Sequence, residues 1–287
     1  MDLYSNLLLG FIVTLAIGLP SYKKKFVSFS GLFAGLVVGM LTFVGGPACF
    51  LVIMVFFLSS SILTKLGYHS KEVKGAAEKK SGRTALQVIC AGGVAGVAAF
   101  LKGLYEARAL IWPDPNQLSH VLTVAFLGAV SSANADTWAV ELGLLSEEEP
   151  KLITNLKKKV PPGTSGGVTK LGTLGSFLGA LLIAAVSAAL YQHVSPPFEQ
   201  MDPLAILIIT FISGFTAEKI DSFLGATVQV KYWCPKCKKE TDKKVHKCGS
   251  STEYLRGIKI ISNEAVNLIS TLAGALLASC LYIALYD

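Results

Sequence analysis

Residues 121–145, with the sequence VLTVAFLGAVSSANADTWAVELGLL, decide the fold. The segment is apolar and long enough to cross about 30 Å of hydrocarbon, yet it carries Asp136 and Glu141. A carboxylate at the bilayer centre costs roughly 2.5 to 3.5 kcal/mol, so such groups usually face a polar cavity and mark a functional site. A second apolar segment carries Glu218 and Asp221. We therefore expect the four carboxylates to share a wet, cation-binding pocket.

Apolar segments recur along the whole chain, in which 52% of the residues are hydrophobic. They predict eight spans: Leu3–Leu19, Phe29–Phe43, Pro47–Leu66, Ala85–Leu104, Leu118–Leu145, Leu171–Tyr191, Pro203–Val230 and Ala265–Tyr286. The second and third spans adjoin at Gly45-Gly46 and could instead form a re-entrant pair. Short connections leave no room for a soluble domain. We predict an all-α, polytopic integral membrane helical bundle that forms a single domain, residues 1–287.

The basic residues predict the orientation of this bundle. All but three of the 26 Lys and Arg residues lie in alternate connections, which are Lys23 to Lys25, Lys65 to Arg83, Lys151 to Lys170 and Lys231 to Lys259. Because basic loops are retained in the cytoplasm, we expect the N-terminus outside. If the protein is prokaryotic, we expect it in the plasma membrane. The net charge of +7 indicates topology and attraction to anionic lipid and phosphate rather than a nucleic-acid partner.

Two polar stripes are expected to face one vestibule at the cytoplasmic end. Asn134, Thr137 and Glu141 follow one another at helical spacing in the fifth span, and Asp221 and Gln229 do so in the seventh. The eighth span begins there with Asn263, Glu264 and Asn267. The alternative interpretation is that these groups only form hydrogen bonds between packed helices.

A glycine and hydroxyl segment, PPGTSGG at residues 161–167, precedes the sixth span, and Thr173 lies in the first turns of that span. Free amides at a helix start favour anions, and glycines allow a phosphate to approach the backbone closely. The alternative is an ordinary turn with a Ser or Thr cap, since the GxxxxGK[ST] phosphate loop is absent. Arg83, at the mouth of the fourth span, is the basic residue best placed to fork onto a phosphate, although most basic runs are solvated surface charge.

Acidic groups, glycine-lined amides and cations on one face are the components of phosphoryl transfer, in which carboxylates hold Mg²⁺ and basic side chains neutralise charge. A pocket open to the bilayer would admit a lipid acceptor. The main alternative is an ion- or proton-coupled transporter or lipid flippase, in which the same carboxylates carry ions. The only internal echo, Asp136-Thr137 and Asp221-Ser222, lies in spans of the same direction and is not an inverted repeat. A CDP-alcohol phosphotransferase is a further alternative, but its spaced DG…AR motif is missing.

The last cytoplasmic connection, residues 231–262, carries Cys234, Cys237, His246 and Cys248 in the pattern C-x₂-C-x₈-H-x-C. A reducing compartment disfavours a disulfide. Four such ligands suit tetrahedral Zn²⁺, which would fold a lysine-rich loop without a core of its own. We call this segment the knuckle and predict structural zinc. Unliganded thiols remain the alternative.

Several motifs together resemble a known family. They are ANADTWAVELG at 133–143, PPGTSGGV at 161–168, LGTLG at 171–175, DSFLGATVQ at 221–229 and NEAVN at 263–267. In this order they resemble the integral membrane family called domain of unknown function 92, or the transmembrane protein 19 family, which includes the plant phytyl-phosphate kinase. The resemblance covers nearly the whole chain.

The resemblance implies a CTP-dependent kinase that converts an isoprenoid monophosphate, of the phytyl or geranylgeranyl type, to the diphosphate at the cytoplasmic face. By analogy Asp136, Glu141 and Asp221 serve the Mg²⁺, and these three residues with Arg83 are the predicted catalytic residues. The predicted cofactor-binding residues are Gly163, Thr164, Ser165, Gly166, Gly167, Thr173, Asn134 and Asn267. The expected ligands are therefore Mg²⁺, CTP as the nucleoside triphosphate donor, an isoprenoid lipid phosphate and the bilayer itself.

Overall fold

The computed structural model describes residues 3–74, 77–78, 80–107, 115–194, 201–246 and 248–286. These residues form nine helices: α1 Leu3–Lys23, α2 Phe29–Val44, α3 Pro47–Lys65, α4 Tyr68–Val73, α5 Ala85–Glu106, α6 Pro115–Gly143, α7 Lys170–Val194, α8 Pro203–Thr227 and α9 Asn263–Tyr286. They also form six short strands: β1 Lys151–Leu152, β2 Asn155–Lys159, β3 Gly167–Val168, β4 Lys231–Cys234, β5 Lys239–Thr241 and β6 Glu253–Arg256.

The predicted membrane helical bundle is confirmed. Each predicted span corresponds to one helix, with ends that agree to within about four residues. Seven helices in the described part of the chain are long and apolar enough to cross a membrane. The eighth, α2, has 16 residues and rises only about 24 Å, which is short of the hydrocarbon thickness. By this measure seven of the eight predicted spans are long enough to cross, and α2 is a shorter apolar helix.

The loop strands are a feature that the sequence did not predict. Strands β1 to β3 form an antiparallel sheet in the order β2-β1-β3 between α6 and α7, and β4 to β6 form one in the order β5-β4-β6 between α8 and α9. Every residue of β2 is exposed, so this lysine-rich strand lacks the alternation of apolar and polar residues by which strands are recognised.

Helix α6 is the centre of the bundle and packs against α3, α5, α7, α8 and α9. Small residues permit this close approach. A Cβ atom added at Gly175 of α7 would lie 2.6 Å from the carbonyl oxygen of Trp138, and one at Gly128 would lie 2.3 Å from the carbonyl oxygen of Gly274 in α9. Tight packing places the polar end of α6 inside the protein instead of against lipid.

Local capping fixes where the helices around the site begin. The Thr84 hydroxyl and the Gln87 side chain form a capping box at the start of α5. Thr169 Oγ1 accepts a hydrogen bond of 2.9 Å from the Gly172 amide and so caps α7. Helix α8 begins with Pro203 after Asp202, whose carboxylate accepts from the Leu204 amide. Both Arg83 and the glycine segment therefore directly precede capped helix starts.

Candidate functional site

A cavity of about 360 Å³ lies at the end of the bundle where α6 and α8 meet the loops. Its walls come from α2, α3, α5, α6, α7, α8 and α9 and from the connections between them. The predicted site residues that line it are Arg83, Asp136, Glu141, Gly163, Thr164, Ser165, Gly166, Gly167, Thr173, Asp221 and Asn267. Residues spread over 185 positions of the printed sequence thus surround one space.

Asp136 of α6 and Asp221 of α8 are the least compensated carboxylates of the cavity. Asp136 interacts electrostatically with Asp221, Glu218 and Arg83, and it has no hydrogen-bond partner among the described residues. Oδ2 of Asp221 is buried and likewise lacks a partner within the described chain. A buried unsatisfied carboxylate oxygen is costly unless a cation binds it. These two residues therefore fit a divalent cation with hard oxygen ligands.

Glu218, one turn before Asp221, faces the same cavity but has its own partners. Its carboxylate accepts hydrogen bonds from Ser176 at 2.8 Å and from Ser222 at 3.1 Å. Nζ of Lys219 lies 2.5 Å from the same carboxylate. Its charge is already compensated, so Asp221 is the more available ligand on α8.

Glu141, the third carboxylate predicted to hold the metal, already has partners in the structure. Both of its carboxylate oxygens are engaged, one by the Thr64 hydroxyl at 2.7 Å and the other by Nζ of Lys71 at 2.6 Å. Lys71 is only 1% exposed and also donates to the Leu63 carbonyl at 2.6 Å. Glu141 lines the cavity, but its charge is balanced by a buried lysine, and its metal role stays a prediction.

The structure contradicts the cofactor-binding role predicted for Asn134. This side chain is fully buried and does not line the cavity. Its amide oxygen accepts from Ser59 at 3.2 Å and from Ser60 at 3.1 Å, and its amide nitrogen donates to the Gly179 carbonyl at 2.7 Å. Asn134 therefore joins α3, α6 and α7, which is the packing role that the sequence left open as the alternative.

Arg83 is the only basic residue among the described residues that line the cavity. It is half-buried, and its guanidinium donates to Thr64 Oγ1 at 3.4 Å. Burial lowers the pKa of Arg83, while the charges of Glu78, Glu141 and Asp136 oppose that shift. Because the pKa of a guanidinium still lies far above neutral pH, Arg83 stays charged and can bind an anion.

The other described basic residues of this connection do not line the cavity. Lys74 donates to the carbonyls of Leu144 and Ser146 at 2.7 Å each, and Lys80 forms an exposed ion pair with Glu72. Lys79 of this connection and Arg108 of another lie outside the described residues.

The glycine segment, residues 161–167, docks on the end of α8. Gly163 and Gly166 have φ angles of +81° and +75°, which favour glycine. A Cβ atom added at Gly166 would lie 2.5 Å from Cβ of Ala226 and 2.7 Å from the carbonyl oxygen of Ser222. Only glycine lets the segment approach α8 this closely, within one turn of Asp221.

One wall of the cavity is apolar. It is formed by α2, α3 and α5 through Gly35, Val38, Ile53, Met54, Phe56, Phe57, Val88, Ala91 and Gly92. The opposite faces of α2 and α5 expose Phe33, Val37 and Ile89, as lipid-facing surfaces do. The cavity thus has an acidic and glycine-lined end and an apolar side next to the lipid-facing helices.

Residues 12–275 match the family described as integral membrane protein DUF92. The chain belongs to this family. No solved structure matches it.

Several curated proteins are similar to this one over most of the chain. Protein PGR of Arabidopsis thaliana is 32% identical over 96% of this chain and 95% of its own length. Protein VTE6, chloroplastic, of the same plant is 26% identical over 88% of this chain and 64% of its own length. An uncharacterized membrane protein of Methanocaldococcus jannaschii is 22% identical over 98% of this chain and 97% of its own length.

Three residues of the site were missed by sequence reasoning. Glu78 and Asp242 line the cavity from connections that the sequence marks only as lysine-rich. Lys231, the first residue of β4, is buried and donates a hydrogen bond to the Ser165 hydroxyl. Burial lowers the pKa of Lys231, and the charges of Asp242 and Glu240 oppose the shift. Nothing in the local sequence distinguishes Lys231 from the exposed lysines that follow it.

The four knuckle residues also converge. One ligand atom from each of Cys234, Cys237, His246 and Cys248 lies within 4.8 Å of all the others, so the group could hold a metal ion. Sγ of Cys234 and Sγ of Cys248 are 3.7 Å apart, and Nδ1 of His246 is 3.1 Å from Sγ of Cys248. Hydrogen bonding with His246 lowers the pKa of the Cys248 thiol to about 6, which favours the thiolate that binds metals.

Proposed function

We propose that this DUF92 protein is a membrane-embedded kinase that uses CTP and Mg²⁺ to convert an isoprenoid monophosphate, of the phytyl or geranylgeranyl type, to the diphosphate. The observation that carries the proposal is the cavity itself, which joins uncompensated carboxylates and a glycine segment to an apolar wall. An isoprenoid phosphate has the same two-part character, because its phosphate needs polar partners and its chain needs apolar ones.

The comparisons support a reaction of this class. The similarity to VTE6 favours a phytyl-phosphate kinase type of activity. Protein PGR is similar over nearly its whole length but is a different protein from VTE6. The similarities therefore do not identify the prenyl substrate or the nucleotide, and both belong to the proposal.

Asp136 and Asp221 would hold the Mg²⁺. Their carboxylates come from two neighbouring helices, and Oδ2 of Asp221 lacks a partner among the described residues, whereas Glu141 and Glu218 are already paired. A bound Mg²⁺ would supply positive charge that stabilises the phosphates during transfer. The excess of acid over base in the cavity favours a triphosphate that arrives as its magnesium complex.

The remaining side chains orient the two phosphates. The glycine segment lines the cavity and would contact the nucleotide phosphates, and the Arg83 guanidinium would stabilise the transferring group. The second pKa of a monophosphate is about 6, so the attacking oxygen is already largely deprotonated at neutral pH. No general base is required, and the cavity has only to hold the two reactants in line.

The active face is proposed to be cytoplasmic. Each of the four basic connections contributes at least one residue to the cavity, namely Val27, Glu78 with Arg83, the glycine segment, and Asp242. Basic connections are retained on the cytoplasmic side, where nucleoside triphosphates are available. In a prokaryotic cell this placement corresponds to the inner face of the plasma membrane.

The proposal is tested by incubating purified protein in detergent with Mg²⁺, γ-labelled CTP or ATP, and phytyl or geranylgeranyl monophosphate. We expect labelled isoprenoid diphosphate, formed faster with CTP, and no product from Asp136→Asn or after chelation of Mg²⁺. Absence of a labelled diphosphate with every pair of donor and acceptor would overturn the kinase proposal. Redistribution of unchanged lipid phosphate across sealed vesicles would favour a transporter or flippase.

A further inference from the structure

The sheet β4-β5-β6 that carries the knuckle has little core of its own. Across residues 231–256, apart from the undescribed position 247, the buried side chains are Lys231, Tyr232 and Cys234. Burial of so little apolar surface cannot offset the conformational entropy of ordering the segment. A fixed fold here requires a cross-link of another kind, and the cysteines are free thiols rather than disulfides.

The knuckle has the dimensions of a tetrahedral zinc site. With Zn–S bonds of about 2.3 Å, two thiolates at tetrahedral angles lie about 3.8 Å apart. The observed separation of Sγ atoms between Cys234 and Cys248 is 3.7 Å. His246 presents Nδ1 to this group, and Cys237 completes four ligands. Two short chain segments thus meet at one point, as in zinc knuckles that are unfolded without metal.

The knuckle is also connected directly to the glycine-lined side of the cavity. Lys231 begins β4, three residues before Cys234, and its ammonium donates to Ser165 in the glycine segment. Asp242, which directly follows β5, lines the cavity.

The far side of the sheet is fixed to the same helix end. Arg256 of β6 donates to the carbonyl of Ala226 at 3.1 Å, and Ala226 is the residue against which Gly166 packs. Arg256 also pairs with Glu240 of β5 at 2.9 Å. The sheet therefore contacts the glycine segment directly through Lys231 and indirectly through the end of α8.

We propose that Cys234, Cys237, His246 and Cys248 bind one Zn²⁺, and that this zinc knuckle holds Lys231 on Ser165 and so fixes the glycine segment at the mouth of the cavity. The zinc site stands on the knuckle geometry alone. The consequence for a bound phosphate rests on the proposed function. Removal of zinc then loosens the glycine segment even though no ligand of the metal touches the cavity.

The metal site is tested by elemental analysis of the full-length protein purified in detergent. We expect about one zinc per chain in the wild type, near zero in Cys237→Ser, and an unchanged content in Cys280→Ser, whose exposed thiol lies on α9 away from the knuckle. Cobalt(II) added to the zinc-free protein is expected to give the absorption of a tetrahedral thiolate complex. Lack of both zinc and cobalt uptake in the wild type would overturn the metal site.

The connection to the cavity is tested by hydrogen exchange, which needs no nucleotide. After chelation of zinc we expect at least a tenfold faster amide exchange in residues 161–168 as well as in the knuckle, and no change in the middle of α6. Lys231→Met is expected to keep its zinc but to show the same faster exchange in residues 161–168. Unchanged exchange in that segment, in both the chelated protein and Lys231→Met, would overturn the connection. Neither measurement depends on kinase activity, so failure of this proposal can be distinguished from failure of the proposed function.

Discussion

Nζ of Lys71 lies 2.6 Å from the carboxylate of Glu141, and both side chains are almost completely buried. The pair joins the short helix α4 to the C-terminal end of α6, next to the cavity. Removal of one member of a buried ion pair leaves an uncompensated charge, which costs far more than loss of an exposed pair.

Lys71→Met is therefore expected to lower the free energy of unfolding by about 3 to 5 kcal/mol. The matched control is Lys80→Met, because Lys80 pairs with Glu72 at 2.8 Å on the surface, where solvent screens the pair, and its loss is expected to change stability little. Thermal unfolding in detergent measures both. Equal midpoints for the two variants would show that the Lys71 and Glu141 pair does not stabilise the fold. The double variant Lys71→Met with Glu141→Gln is expected to lose less stability than the sum of the losses in the two single variants.

Asp136→Asn and Asp221→Asn are expected to reduce phosphoryl transfer by about 100-fold or more, because each removes an uncompensated carboxylate proposed to hold the metal. Neither variant is expected to lower stability, since Oδ2 of Asp221 has no partner in the described chain and Asp136 lies among like charges. Turnover, its Mg²⁺ dependence and the unfolding midpoint are measured together.

The control for these variants is Glu149→Gln, which removes an exposed carboxylate paired with Lys159 outside the cavity. We expect this variant to retain normal turnover. Near-normal activity in Asp136→Asn would remove the metal role of that residue. A loss of folded protein parallel to the loss of activity would instead indicate a structural role.

The helices and the location of the site were predictable because long apolar runs dominate their energetics. The carboxylates of α6 and α8 stood out for the same reason, since a charge within such a run is expensive wherever it faces lipid. The glycine segment was predictable from composition, and its glycines at 163 and 166 do adopt backbone angles that other residues avoid. These signals are local in sequence.

The partners of each polar group were not predictable, because they come from distant parts of the chain. Glu141 is paired with a lysine 70 positions away, and Asn134 binds Ser59, Ser60 and the Gly179 carbonyl. Periodicity indicates that a group faces inward but not what it meets there. The same limit concealed Lys231, whose surroundings in the sequence resemble those of a solvated lysine.

Gly166→Ala is expected to raise the KM for the nucleotide about tenfold or more. The added Cβ atom would lie 2.5 to 2.7 Å from atoms of Ala226 and Ser222, so the glycine segment has to move away from α8. The positive φ angle adds strain of about 1 kcal/mol.

Gly46→Ala separates these two effects. Gly46 also has a positive φ angle, +111°, but a Cβ atom there meets nothing within 4 Å and the residue does not line the cavity. We expect a modest loss of stability and an unchanged KM for this control. An unchanged KM in Gly166→Ala as well would mean that docking of the glycine segment does not matter for nucleotide binding. Steady-state kinetics with varied CTP provide the measurement.

Gly35→Leu tests whether the apolar wall binds the isoprenoid chain. Gly35 of α2 lines the cavity, and a Cβ atom there has no heavy atom within 4 Å, so a leucine side chain would occupy open space. We expect the KM for geranylgeranyl monophosphate to rise at least tenfold, because each displaced carbon of the chain loses apolar contact. The KM for the shorter geranyl monophosphate, which does not need the whole wall, is expected to change less than twofold.

The matched control is Gly93→Leu on α5, where the new side chain points away from the cavity toward Ile89. We expect this variant to have wild-type KM values for both acceptors. A uniform rise in KM for both chain lengths in Gly35→Leu would indicate general distortion of α2. Wild-type KM values for both acceptors in Gly35→Leu would mean that the isoprenoid chain binds elsewhere. The apolar wall formed by α2, α3 and α5 would then be only a packing surface between helices.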